Sequence, residues 1–133
     1  MDRVGNFLTS IRNAYLAHKD EALVPRTNQT LEIAKILVKE KYLANVTEET
    51  TDTGRKVLRL TLRYDKRDAA VLRIRRVSKP GRRLYAPVAN LPRPKAGFGT
   101  MIISTSQGIM TDRDARAKGV GGEVMAELIR GAY

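Results

Sequence analysis

The sequence predicts an α+β fold, in which an N-terminal α/β domain of two helices and a three-stranded sheet precedes a mostly β C-terminal domain with one short helix. Three observations favour this fold. Apolar residues recur at helical spacing in two segments of the first half, strand-like alternation follows them, and short apolar runs separated by glycine and proline fill the second half. A polar stretch at residues 65–68 divides the halves, so we predict domains at residues 1–64 and 65–133.

Two segments of the first half have the spacing of amphipathic helices. Asp2 can cap the first helix, and Thr27 or Asn28 can cap the second, which is predicted to extend to about residue 41. The apolar face of the first helix is formed by Val4, Phe7, Leu8, Ile11 and Tyr15. Such faces need a partner to cover them, and the neighbouring strands supply one.

Strands are predicted on both sides of the polar stretch. In the first half they lie at residues 22–24, 43–49 and 56–64, and in the second half at residues 71–77, 84–85, 101–104, 109–110 and from about 123 onwards. A short helix before the last strand begins at Thr111 or Asp112 and ends at Lys118, because Gly119 is a natural helix stop.

Charge is the most informative feature of the composition. The 133 residues include 25 Lys and Arg against 14 Asp and Glu, a net charge of +11. Residues 1–64 carry +3 (11 basic, 8 acidic) and residues 65–133 carry +8 (14 basic, 6 acidic). From Arg73 to Lys95 there are eight basic residues and no acidic one. An uneven positive charge of this size predicts a nucleic-acid partner for the second half.

Several classes of protein are disfavoured. Cysteine is absent, no apolar run approaches the roughly 20 residues that span a bilayer, and no signal peptide is recognisable, so we expect a cytoplasmic protein without a membrane partner. The single histidine, His18, lacks companions for a metal site. The phosphate-binding, metalloprotease and serine-hydrolase motifs are also missing. We therefore expect no enzyme, no cofactor and no metal.

Lys79, Arg82 and Arg83 surround a predicted tight turn at Pro80 and Gly81. Proline presets the first turn angle, and we expect the glycine to take a positive φ. Cations on a rigid turn suit phosphate oxygens, and the nearby Tyr85 offers a ring for stacking on bases or ribose. The alternative is an ordinary solvated hairpin tip, which the absence of acidic neighbours disfavours.

A second candidate segment is rich in hydroxyl groups and lies between two apolar pairs of residues. It consists of Ser104, Thr105, Ser106, Gln107 and Gly108. Hydroxyl and amide groups both donate and accept, so they can recognise base edges and 2′-hydroxyls, while glycine permits close backbone approach. Spacing alone leaves an equal alternative, in which the hydroxyls satisfy their own turn.

A third candidate is the polar face that Thr9, Arg12 and Asn13 share on the first helix. An RNA contact is one interpretation of this face. The commoner interpretation is an ordinary solvated helix surface.

The same segments resemble a known family, the eighth protein of the bacterial small ribosomal subunit. The resemblance is carried by residues 79–83, by the run from Ile103 to Asp112, and by Gly121-Gly122-Glu123, with further matches at residues 8–14 and 32–37. It extends in order over essentially the whole chain.

The resemblance implies a structural component of the small subunit that binds the central domain of small-subunit ribosomal RNA early in assembly. It further implies neighbouring small-subunit ribosomal proteins as partners, repression of its own operon through binding of its messenger RNA, and a monomer outside the ribosome. Carried over by residue, it assigns specific contacts to Ser104, Thr105, Ser106 and Gly108. It assigns backbone contacts to Lys79, Arg82, Arg83 and Tyr85, and support of the loop to Glu123.

This chain departs from the family pattern in two places. The loop after Pro25 usually carries lysines in the family, whereas this chain has Asn28 and Thr30, so the resemblance assigns no second RNA contact there. Residues 127–133 are less similar and receive no role. Two other functions compete with the ribosomal one: a nucleic-acid coating protein held by charge alone, and a nucleic-acid-processing enzyme.

Overall fold

The predicted α+β architecture is confirmed in the computed structural model, which describes residues 2–66, 68–94 and 99–131, without the side chain of Leu72. The described residues form two compact units, one comprising residues 2–71 with 131 and the other residues 72–130. The predicted division into independent domains after residue 64 stays a prediction. Arg67 and Lys95, two of the basic residues counted above, lie outside the described residues.

The first unit is built from two helices and an antiparallel sheet. Helices α1 (Arg3–Leu16) and α2 (Asn28–Lys39) accompany the strands β1 (Glu21–Pro25), β2 (Leu43–Thr50) and β3 (Lys56–Leu62), which are ordered β1-β3-β2. The inward face of β3 is apolar, and α1 buries the face that its spacing predicted. The three-stranded sheet of the prediction is thereby confirmed.

The two helices begin where their capping signals predict. The Asp2 carboxylate accepts a hydrogen bond from the Gly5 N–H at 3.0 Å. Thr27, rather than Asn28, caps α2, and it exchanges hydrogen bonds with Thr30 in a capping box. The helix ends at Lys39, earlier than predicted, because Lys41 adopts a left-handed φ of 67° that cannot continue it.

The polar stretch at residues 65–68 contains a small hairpin, which the sequence did not predict. Strand β3 ends at Leu62, and Tyr64–Asp65 (β4) pairs with Asp68–Ala69 (β5). Lys66, between these two strands, takes a φ of 61°, and β3 itself ends two residues before the predicted strand end at residue 64. The polar residues indicated a turn, but they did not indicate the short β4–β5 pairing on either side of it.

A five-stranded sheet with a long central strand forms the second unit. It contains β6 (Val71–Arg76), β7 (Tyr85–Ala86), β8 (Gly99–Thr105), β9 (Gly108–Thr111) and β10 (Gly122–Arg130), in the order β6-β10-β8-β9 with β7 also paired to β10. Residues 124–129 of β10 are all buried, as expected of an interior strand. A single turn of 3₁₀ helix at Val88–Asn90 precedes the irregular Leu91–Pro94 stretch.

The short helix α3 (Asp112–Lys118) packs against β8 and β9. Thr111 caps it by accepting from the Asp114 N–H at 3.1 Å, and Gly119 ends it with a φ of 70°. The carboxylate of Asp112 is buried, where it accepts from the Met101 N–H and pairs with Arg116. Among the described residues, no helix is both long enough and apolar enough to cross a membrane.

Tyr15 connects α1 to two distant parts of the first unit through its phenolic hydroxyl. This group donates to the Tyr42 carbonyl at 2.5 Å and accepts from the Arg63 N–H at 3.0 Å, while the ring is only 6% exposed. A Tyr15→Phe variant keeps the ring but removes the hydroxyl to which both backbone groups are hydrogen-bonded. Leaving such groups unsatisfied costs about 1–3 kcal/mol of unfolding free energy.

We expect urea unfolding of Tyr15→Phe to show a loss in that range. Tyr64→Phe is the matched control, because the Tyr64 hydroxyl donates one exposed hydrogen bond, to the Lys19 carbonyl. Equal stability losses in the two variants would contradict the assignment of Tyr15 as the buried connection.

Candidate nucleic-acid interface

The basic turn, defined as residues 79–83, is closed by a reciprocal pair of backbone hydrogen bonds. The Lys79 N–H donates to the Arg82 carbonyl at 3.0 Å, and the Arg82 N–H donates back at 2.9 Å. Lys79, Arg82 and Arg83 are all exposed, as is Tyr85, whose side chain is among the most exposed large hydrophobic ones. The predicted cationic turn is therefore present, and its three basic residues are exposed.

Gly81 does not adopt the conformation that the sequence predicted. Its φ is not positive, whereas Gly54, Gly108 and Gly119 do have positive φ. A turn in which both central residues keep negative φ needs no glycine, and Pro80 already presets the first of them. The expectation of a positive φ at Gly81 was wrong, although the tight turn itself forms.

Ser78 holds the base of the basic turn from inside the protein. It is 3% exposed, and its hydroxyl donates to the Glu123 carboxylate at 2.5 Å while accepting from the Leu84 N–H at 3.1 Å. The Ser78 carbonyl accepts from the Arg76 guanidinium at 2.7 Å. One buried residue thus joins both ends of the turn to β10. Ser78 could not be identified from sequence, because a serine beside a turn gives no signal of its burial.

Glu123 serves the basic turn through its side chain and the hydroxyl-bearing segment through its backbone. Besides the Ser78 hydroxyl, its carboxylate accepts from Arg83 at 3.0 Å, in an ion pair whose acid is 14% exposed. The backbone of Glu123 pairs with Ser104 of β8 on one side and with Tyr85 of β7 on the other. The carboxylate therefore supports residues 78–84, rather than the hydroxyl-bearing segment for which the support was expected.

The surroundings of Glu123 favour its charged form. Burial raises the pKa of this carboxyl, but the hydrogen bonds from Ser78 and Arg83, with the charges of Arg83 and Arg76, outweigh burial and hold the pKa below its usual range. The same cluster disfavours the charge of Arg76, whose pKa is lowered by burial and by the neighbouring Arg83. Glu123 is the acidic group that stabilises this crowded set of guanidinium groups.

The hydroxyl loop, defined as residues 104–108, is the tip of the β8–β9 hairpin. Its Thr105 hydroxyl donates to the Gly108 carbonyl at 2.8 Å and accepts from the Gln107 N–H at 3.0 Å, so this hydroxyl satisfies the turn itself. Gly108 has a φ of 112°, which few other residues tolerate. Ser106 and Gln107 are exposed at the tip and Ser104 is half-buried. Of the two interpretations of this loop, the structural one applies to Thr105.

Tyr85, beside the basic turn, and Ser104, of the hydroxyl loop, lie on one face of the second sheet. Directly opposed residues of neighbouring strands point to the same face, and Tyr85, Glu123 and Ser104 are opposed in this order across β7, β10 and β8. Ser104 in turn opposes Ile109. The exposed ring of Tyr85 and the hydroxyl of Ser104 therefore flank the Glu123 carboxylate.

Close approach of β10 to these segments depends on two glycines. A Cβ at Gly122 would overlap the carbonyl oxygen of Ser104, and a Cβ at Gly121 would overlap the carbonyl oxygen of Ala86. In both cases the obstacle is backbone, which cannot move aside as a flexible side chain can. From sequence, Gly121 and Gly122 were interpreted only as the residues that precede the last strand. In the structure they determine how closely β7 and β8 approach the start of β10.

The third candidate group belongs to helix α1 of the first unit. Thr9, Arg12 and Asn13 are all exposed on α1, as their spacing predicted. Asn28 and Thr30, which were expected in a loop after Pro25, lie instead in the first turn of α2. Thr30 is buried in the capping box and Asn28 accepts a hydrogen bond from Arg26, so both residues have local structural partners. Across the described ranges, no group of three or more side chains is placed to hold a metal ion.

Comparisons with known proteins identify a family for nearly the whole chain. The family model described as Ribosomal protein S8 matches residues 2–129. A protein of Corynebacterium glutamicum named small ribosomal subunit protein uS8 is 48% identical over 126 residues, covering 94% of this chain and 95% of the relative. A relative of the same name from Acidithiobacillus ferrooxidans is 47% identical over 124 residues, covering 93% and 94%. The uS8c protein of Welwitschia mirabilis is 41% identical over 125 residues, covering 94% and 97%.

The overlap at Gly122 predicts a large effect of adding a single methyl group. Gly122→Ala forces the backbones of β10 and β8 apart, and such overpacking typically costs about 1–3 kcal/mol. Gly81→Ala is the control, since a Cβ at Gly81 meets no atom within 4 Å. Thermal or urea unfolding should show a clear loss for Gly122→Ala and almost none for Gly81→Ala. If Gly122→Ala left the free energy of unfolding unchanged, β10 and β8 would not be held at this spacing.

Glu123 should contribute to the pH dependence of stability. Because folding lowers its pKa, its stabilising contribution is complete above the unfolded-state value of about 4.3 and disappears as pH falls through the folded-state value. Urea unfolding between pH 7 and pH 3 should therefore show a smaller loss on acidification for Glu123→Gln than for the wild type. Identical pH dependence in both proteins would remove Glu123 from the groups that titrate on acid unfolding.

Proposed function

The chain belongs to the ribosomal protein S8 family, a family of structural rather than catalytic ribosomal components, and from this membership we propose a specific RNA-binding role. In this proposal the protein is a structural part of the small ribosomal subunit in the cytoplasm. It binds the central domain of small-subunit ribosomal RNA early in assembly, with neighbouring small-subunit proteins as further partners. Its binding surface consists of the basic turn, Tyr85 and the hydroxyl loop.

The observation that carries the proposal is the placement of the two candidate segments on either side of Glu123. Cations alone would bind any polyanion, because phosphate contacts carry no sequence information. Here the cationic turn lies beside a loop of neutral donors and acceptors and an exposed aromatic ring on the same sheet. An irregular RNA helix offers phosphates, 2′-hydroxyls and unstacked bases together, and this surface has a group for each.

The proposal divides the hydroxyl loop into contact and support residues. Ser106 and Gln107 are exposed at its tip and are the groups best placed to meet bases or ribose. Thr105 supports the turn through its two internal hydrogen bonds, and Gly108 supplies its positive φ. Ser104 lies next to Glu123, whose carboxylate accepts from Arg83 of the basic turn. The exposed face of α1 at Thr9, Arg12 and Asn13 is proposed as a secondary RNA contact of the first unit.

Repression of the protein's own operon follows from the same surface. A messenger RNA that presents a similar irregular helix would meet the same cations, ring and hydroxyls, so the protein would bind it as a monomer when ribosomal RNA is scarce. A coating protein held by charge is the competing function. The two differ in their discrimination between RNAs rather than in salt dependence, because both neutralise phosphates.

Hydroxyl-radical footprinting on a naked transcript of small-subunit ribosomal RNA tests the proposal. We expect a discrete protected segment within the central domain, at protein concentrations where unrelated RNA of equal length stays unprotected. Diffuse protection of every RNA to the same extent would establish the coating function instead and would overturn the proposal.

Ser106→Ala should weaken binding of the central-domain RNA but not of random RNA. The change removes a neutral hydroxyl at the exposed tip, worth about 0.5–1.5 kcal/mol per hydrogen bond, and alters no charge. Thr50→Val is the control, since it removes an exposed hydroxyl from β2 in the first unit. Filter binding with both RNAs measures the difference. Equal losses on the two RNAs would show that the tip does not recognise its target.

A further inference from the structure

The basic turn contains two kinds of cation. The guanidinium of Arg83 is paired with the half-buried Glu123 carboxylate at 3.0 Å, and the Arg83 side chain is 52% exposed. Lys79 and Arg82 are exposed and make no ion pair within the described part of the chain. A cation that already has an anionic partner must give it up, or share it, before it can neutralise a phosphate.

Ser78 is placed to fix the two exposed cations. It directly precedes Lys79, and its buried hydroxyl joins the Glu123 carboxylate to the Leu84 N–H, so both ends of the turn are anchored at one point. Its carbonyl is held in turn by Arg76. These three hydrogen bonds of Ser78 restrain the backbone that carries Lys79 and Arg82. Such restraint lowers the ordering cost of the turn on binding.

From this geometry we infer that Ser78, Glu123 and Arg83 form an internal positioning unit for RNA binding, and that Lys79 and Arg82 make the phosphate contacts. This inference rests on the proposed function and adds an assignment of roles within it. Ser78 acts through the turn without touching RNA. Glu123 occupies Arg83, so Arg83 adds rigidity to the surface instead of a further indiscriminate cation.

The dependence of binding on salt separates the two kinds of cation. Each phosphate contact contributes about 0.7–0.9 to the slope of log K against log salt concentration. We expect Arg82→Ala to reduce the slope by about that amount, and Lys79→Ala to do the same. Arg83→Ala should leave the slope nearly unchanged while lowering affinity for the central-domain RNA. A reduction for Arg83→Ala as large as that for Arg82→Ala would overturn the assignment.

Glu123→Gln should change binding in the opposite sense. Removing the carboxylate charge frees Arg83, so affinity for random RNA should rise and the slope should steepen by up to about 0.7–0.9. The advantage of the central-domain RNA over random RNA should shrink at every salt concentration. An unchanged slope together with unchanged discrimination would contradict a positioning role for Glu123.

Ser78→Ala tests positioning without any change of charge. We expect about a tenfold loss of affinity for the central-domain RNA, because the turn must then be ordered on binding, with an unchanged salt slope. Hydrogen exchange of the Leu84 N–H should accelerate, since the Ser78 hydroxyl is its acceptor. Ser78→Cys, which keeps a weak donor of similar size, should restore part of the affinity.

Thr111→Ala separates positioning from a general loss of stability. Thr111 is another buried hydroxyl residue of the second unit, 3% exposed, and it caps α3 rather than the basic turn. Measured well below both melting temperatures, Thr111→Ala should keep full RNA affinity while Ser78→Ala loses it. Equal losses in the two variants would overturn the inference. If the wild type itself fails to discriminate between the RNAs, the proposed function fails instead, so the two failures are distinguishable.

Discussion

The start of β10 is the constraint on which the candidate interface depends. At Gly122 the strand passes so close to the carbonyl of Ser104 that a single methyl group cannot be accommodated, and at Gly121 the same holds for Ala86. The next residue, Glu123, directs its carboxylate to the basic turn. Three consecutive residues therefore determine where the turn, the Tyr85 segment and the hydroxyl loop stand. Since β10 is also the buried central strand, these positions are fixed by the core of the unit.

Glu123 also resolves an electrostatic difficulty. Between Asp68 and Asp112 the chain contains no acidic residue, so cations from β6 and the basic turn crowd together without a local counter-charge. The counter-charge comes from β10, 40 residues after Arg83 in sequence. A carboxylate at 14% exposure loses hydration, and the Ser78 and Arg83 hydrogen bonds replace what is lost. The protein can therefore present cations on one surface without leaving all of them unpaired.

Features that depend on local periodicity could be predicted from sequence, whereas features that depend on tertiary contacts could not. The helices, the second-unit strands and the caps at Asp2 and Thr111 follow from spacing and capping chemistry. The burial of Ser78 does not, because it results from the arrival of β10 beside the turn. The Pro80-Gly81 dipeptide indicated a turn but not the type of turn, because proline and glycine are compatible with more than one turn type.

The proposed RNA-binding function gives a reason for neutral and charged groups to occur together at the candidate interface. Phosphate contacts give large affinity but lose it as salt rises, and they hold any RNA. The neutral hydroxyl loop gives less affinity, yet its hydrogen bonds depend on the positions of bases and ribose, so they are lost on the wrong RNA. These weak hydrogen bonds can distinguish the target RNA from other RNAs only if the cations stay in place, because mobile cations would adjust to the phosphates of any RNA. In the proposed function, anchoring of the basic turn and the hydroxyl loop to the same strand supplies that restraint, and the surface then recognises the shape of an RNA as well as its charge.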